Sequence, residues 1–318
     1  MALSVQLRGA KRVLQGSPLV RAGRVVSLIV SISVGIGMLL GIRGATSRRI
    51  RHEVSTPDGK SDIQQRLQSG RLPWWAPVFM LVARPVFALA TQLAVAALFR
   101  LSRQPKPLRE AGRWWMVSGT LLDFLSLGTL TWLTKREGIR LAELFNVRRE
   151  RLSRDLVMTL GDLVALTPAV GISAALTRLF YGPSGQPPQV AVARNLPVAA
   201  TAYSVLVWPV IWSMTEEATY LGYTLPRLEA LTGNTAVSAA LVSTVWALQH
   251  ESLPLLLDGR YLVSRPLSAL PVTFTTTLLY LLRGRRLPPL MVAHWAADAA
   301  SALFAALPHG HVSGTPTR

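Results

Sequence analysis

Long apolar blocks decide what this chain can fold into. They stand at 25–42, 74–99, 114–133, 156–180, 196–214, 236–249, 266–282 and 290–307. Several exceed the roughly 18 residues that mark a membrane-crossing helix. The expected fold is all-α: a polytopic membrane helix bundle of about eight transmembrane helices. The spacing predicts kinking at Pro85, because proline removes a backbone donor inside the block 74–99. It also predicts a short amphipathic surface helix around 139–145, a loop at 181–190, a helix over 216–231 that stops near Gly233, and a loop at 251–265.

Block 25–42 fits either a first transmembrane helix or the apolar core of a signal peptide. It is longer than such a core, and no A-x-A site follows it, so an uncleaved helix is favoured. The economical division is an N-terminal extension over 1–110, with a basic arm, a polar linker and two candidate spans. A membrane domain over 111–308 and a tail over 309–318 complete it. The sequence shows no internal repeat.

Charge is informative by where it sits. Lys and Arg number 34 against 16 Asp and Glu, a net charge of +18. The cations cluster between the apolar blocks, as loops facing anionic lipid headgroups do. No helix-turn-helix, zinc-finger or RNA-binding signature accompanies them, so the bilayer is the expected partner and nucleic acid is not. There is no cysteine, which removes disulfides and thiolate chemistry. The expected location is the plasma membrane of a bacterium.

A few ionisable residues break the apolar pattern. Glu216 and Glu217 follow block 196–214, His250 closes block 236–249, and His294 and Asp298 lie inside block 290–307. A charge at membrane depth costs about 2.5–3.5 kcal/mol on insertion scales, so such residues point to function. His294 and Asp298 are four apart and share a helix face, as do Trp246 and His250. Glu216 and Glu217 lie about 100° apart on a helix. They cannot serve one point equally, so one is expected to act and the other to hold structure.

Hydrolysis by general-base catalysis needs a group that takes a proton from water and donors that stabilise the oxyanion. Glu216 with His250 suits the first role, and His294 with Asp298 the second. The expected cofactor is none. The alternative is zinc held by Glu216, His250 and His294, with Asp298 behind them. No H-E-x-x-H pair is present. Asp123 and Asp162 read as structural or interfacial, and His52, His309 and His311 as solvated. Arg84 either pairs with an acid on a neighbouring helix or snorkels. A transporter would need a continuous polar path through Arg84, Asp123 and Asp162 together with an internal repeat, and the sequence carries no repeat.

Three short motifs resemble the CAAX protease and bacteriocin-processing family, also called Abi, of intramembrane endopeptidases. The first opens on Glu216-Glu217, the second runs Trp246-Ala247-Leu248-Gln249-His250, and the third runs His294-Trp295-Ala296-Ala297-Asp298. The resemblance covers 114–307. It implies that Glu216 and His250 activate water and that His294 and Asp298 form an oxyanion site. It also implies a bundle with a cavity open to lipid and to one aqueous face, and peptide or membrane-anchored protein substrates. The family's arginine in the first motif falls on Leu221. Either Arg227 or another basic side chain takes its place beside Glu217, or the chain is a weakened member acting as a bacteriocin-immunity or scaffold protein.

Overall fold

The computed structural model describes residues 57–183, 185–193 and 196–306. The candidate span at 25–42 and the residues His52, His309 and His311 lie outside them. Among the described residues the chain is helical. The first half of the bundle comprises α1 Pro57–Gln68, α2 Trp75–Leu101, α3 Pro107–Arg113, α4 Trp115–Glu137, α5 Leu141–Phe145 and α6 Leu152–Tyr181. The second half comprises α7 Pro188–Val192, α8 Val198–Leu206, α9 Trp208–Glu217, α10 Leu225–Thr232, α11 Thr235–Leu248, α12 Gly259–Leu282 and α13 Leu287–Ala306. A π-helical stretch, Ala218–Thr224, links α9 to α10, and a 3₁₀ turn, Gln249–Glu251, comes after α11.

Among the described residues four stretches are long and apolar enough to cross a bilayer: Trp75–Leu101, Trp115–Glu137, Leu141–Tyr181 and Val198–Thr232. At 14 residues, α11 is shorter than the roughly 20 needed to span. The distribution of side chains is that of a membrane protein. Large apolar residues face outward, with Leu101 80% and Val198 86% exposed. Polar ones turn inward: Arg84, Asp123, Glu216, Glu217 and Gln249 are 0% exposed. In water such an outer surface would be an association hazard, whereas against lipid it costs nothing. The chain is an integral membrane protein.

Local chemistry sets the boundaries. Helix α10 ends at Gly233, whose φ of +66° is the left-handed stop expected there. Asn234 caps α11 by accepting from the backbone N–H groups of Ala236 and Val237. Helix α12 begins earlier than the 251–265 loop expected from sequence. Asp258 accepts from the Tyr261 N–H at 2.8 Å and starts the helix at Gly259, and Pro266 and Pro271 are then carried inside it. Helix α2 runs unbroken through Pro85.

Helix α12 packs along α6 and α11, α13 packs against α9 and α6, and α2 packs against α4. At the centre, Tyr220, Leu221, Leu225, Val242, Trp246, Leu290 and Ala293 form one apolar cluster. Ion pairs tie the bundle together. Arg227 meets Glu137 at 2.6 Å, Arg283 meets Asp162 at 2.8 Å, Arg285 meets Glu229 at 2.6 Å, and Arg286 pairs with Asp155. Asp162, which the sequence marks as structural or interfacial, is a member of one of these pairs.

Candidate active site

The acids sit where helix geometry changes. Glu216 and Glu217 end α9, and the wider π-helical turn begins at once. Such turns inside helices are rare and concentrate at functional sites. Gly222 lies in this turn, and a Cβ there would come within 2.9 Å of Leu287 Cδ1. The glycine lets the start of α13 approach the motif closely.

Each carboxylate has a defined set of contacts. The Trp246 indole N–H donates to Glu216 Oε2 at 2.8 Å, and the Gln249 amide donates to Oε1. Arg84 Nη2 stands 3.6 Å from Glu216 Oε1. Glu217 faces His294, whose Nδ1 lies 2.9 and 3.1 Å from its two oxygens. The other ring nitrogen of His294 is 3.1 Å from Asp298 Oδ2 and 3.8 Å from Glu216 Oε2. The two adjacent acids therefore both reach one imidazole, and unequally.

Aromatic packing fixes the surrounding wall. Tyr220 stacks on Trp246 at 5.2 Å between ring centroids and donates its hydroxyl to Gln249 Oε1 at 2.9 Å. Gln249 therefore presents its carbonyl oxygen to Tyr220 and its amide nitrogen to Glu216.

Glu216, Glu217, His294 and Asp298, which the sequence singled out, are brought into direct contact. His250 is placed differently. Its Nδ1 donates to the Trp246 carbonyl at 3.0 Å, and among the described residues no hydrogen bond or ion pair joins it to Glu216. That bond puts the proton on Nδ1 and leaves Nε2 of the neutral ring as an acceptor. Arg227 is spent on Glu137 and the Tyr223 carbonyl, so it does not partner Glu217. Leu221 lies fully buried in the apolar cluster.

Sequence reasoning missed three members of this neighbourhood. Asp123 reads as an isolated structural acid, yet it holds Arg84 at 3.0 Å beside Glu216. Ser126 and Gln249 also contact Arg84. A usable signal existed: Asp123 and Ser126 are three apart on one face of α4, opposite the lone arginine of an apolar block. Among the described residues no three His, Asp or Glu side chains are grouped as a metal site.

An apolar-surfaced bundle with buried acids closed around an imidazole defines a membrane protein with its polar chemistry in the interior. Residues 197–300 match the family model described as Rce1-like, type II CAAX prenyl endopeptidase Rce1-like. That segment, which contains all three motifs, is similar to the CAAX-type endopeptidases. No curated protein and no solved structure matches the chain.

Proposed function

We propose that the chain is an intramembrane endopeptidase of a bacterial plasma membrane. It cuts peptide bonds near the termini of membrane-associated proteins or peptides. The observation that carries this reading is the contact chain Glu216–His294–Glu217, closed by Asp298, inside the family-matched segment.

In the proposed mechanism Glu216 takes a proton from water. Two donors, the Trp246 indole and the Gln249 amide, hold its carboxylate in place. The unprotonated Nε2 of His250 shares this task and passes the proton to the leaving amine. His294 stands across the site, anchored at Nδ1 by Glu217, so that its other nitrogen can donate to the developing oxyanion. Asp298 holds that same nitrogen at 3.1 Å and orients the ring, and the oxyanion takes over or shares its N–H when substrate is bound. No metal takes part in this scheme.

A second reading has one observation in its favour. Leu221 fills the position of the family's arginine, which fits a weakened member serving as a bacteriocin-immunity or scaffold protein. The deciding experiment is peptide cleavage by the purified protein in proteoliposomes. Cleavage by the wild type that Glu216→Gln lowers at least a hundredfold supports the endopeptidase. Wild-type protein that cleaves no member of a broad fluorogenic peptide set favours the second reading.

A further inference from the structure

Arg84 is among the largest fully buried side chains of the described residues. It comes from α2, far from the family-matched segment in sequence. Its guanidinium nevertheless ends at the candidate base. Nη2 stands 3.6 Å from Glu216 Oε1, and Nε donates to Gln249 Oε1 at 3.3 Å. Nη1 is held on the far side by Asp123 at 3.0 Å and Ser126 at 3.4 Å. The plane of the group lies against the Trp212 ring, 4.7 Å from its centroid.

These contacts act on one atom by two routes. The first is the direct approach to Glu216 Oε1. The second runs through Gln249. Arg84 and the Tyr220 hydroxyl both donate to Gln249 Oε1, which turns the amide nitrogen toward the same Glu216 oxygen. The surroundings explain why a cation is needed. Glu216, Glu217 and Asp298 gather around one imidazole, Asp123 stands behind Arg84, and among the described residues Arg84 is the guanidinium that reaches Glu216. Unbalanced buried charge is costly, and removing one member of a buried pair leaves the other uncompensated.

We propose that Arg84, braced by Asp123 and Ser126, is a positioning residue for Glu216, directly and through Gln249, so that α2 and α4 complete a site whose motifs lie in 197–300. It puts a buried cation beside Glu216, whereas the arginine that the first motif lacks at Leu221 would pair with Glu217. It differs in kind from a local helix partner, because it couples the site to a separate helix. The proposal rests on the endopeptidase reading for its activity arm and stands independently for its structural arm.

The test uses the full-length protein in proteoliposomes with fluorogenic peptides. Because Arg84→Gln alone leaves Asp123 unpaired, the informative variant is the pair Arg84→Gln with Asp123→Asn, which replaces an ion pair with two neutral amides. Displacing a reacting group by about 1 Å costs on the order of a hundredfold in rate. The expected result is a kcat loss of about ten- to a hundredfold with KM within about twofold, while Arg84→Lys recovers part of kcat. A second measurement compares the melting temperatures of Arg84→Gln, Glu216→Gln and their combination. The combined loss should be smaller than the sum of the two. A kcat within twofold of wild type, a loss confined to KM, or additive melting losses would overturn the proposal. If the wild type cleaves nothing, the endopeptidase reading falls and additivity of the melting losses alone decides on Arg84.

Discussion

Glu137 and Arg227 form the ion pair whose removal has the clearest predicted consequence. Both side chains are nearly sealed, at 1% and 2% exposure. Arg227 meets Glu137 with three contacts of 2.6, 2.9 and 3.1 Å, and it rests 3.9 Å from the Tyr223 ring. Breaking a buried pair from one side costs about 3–5 kcal/mol, because the remaining charge loses its partner. Glu137→Gln should therefore lower the folded-to-unfolded ratio by roughly 150- to 4,000-fold at about 1.4 kcal/mol per tenfold.

The two sides of this pair are not equal. In Arg227→Met, Glu137 retains Arg66 at 3.6 Å, so that variant should lose less than Glu137→Gln. Replacing both residues with apolar ones should lose less than either single change. Thermal unfolding in detergent measures the order. Turnover per folded molecule should stay within about threefold of wild type in every variant, because Arg227 does not touch Glu217. The reasoning is refuted if Arg227→Met is the worse of the single variants. It is equally refuted if Arg227→Met abolishes turnover without lowering the melting temperature.

The same geometry carries three further expectations. Trp246→Phe keeps the ring over Tyr220 but removes the donor to Glu216 Oε2. A hydrogen bond to a charged group is worth about 1.5–3 kcal/mol, so turnover should fall about ten- to a hundredfold with little change in melting, as steady-state kinetics would show. Asn234→Ala removes the cap of α11 and should cost about 1 kcal/mol in unfolding measurements with the site chemistry unchanged. Prolonged dialysis against EDTA or 1,10-phenanthroline should leave turnover intact, and elemental analysis should find well under one zinc per chain. Activity lost to chelation and restored by zinc would revive the Glu216, His250 and His294 set.

The sequence announced the bundle through its long apolar blocks, and their edges fall close to helices α2, α4, α6 and α13. Spacing also found Glu216, Glu217, His294 and Asp298, because each is a charge where apolar periodicity has no place for one. Boundaries set by a single side chain were harder to see. Asp258 starts α12 among residues that look like a loop, and its effect depends on one hydrogen bond to the Tyr261 N–H. The partnership of Arg84 with Asp123 was hidden for another reason. It joins two helices 39 positions apart, and nothing local in either helix specifies which acid the arginine will meet. Assigning Arg227 or Arg84 to its partner requires the packing of α2, α4 and α10 in three dimensions.

The π-helical turn at Ala218–Thr224 has the effect of a spare residue spliced into an otherwise α-helical rod. It sets the rotational phase of α9 apart from that of α10. Upstream, α9 aims Glu216 at Trp246 and Glu217 at His294, while downstream, α10 aims Arg227 at Glu137. Excising one residue from the turn would straighten the rod, yet swing one half by about 100° against the other. Either the acids or the Arg227 anchor would then face the wrong way. The turn works as a fixed angular offset between chemistry and anchorage, so chain length through 218–224 is constrained even at positions whose side chains touch neither.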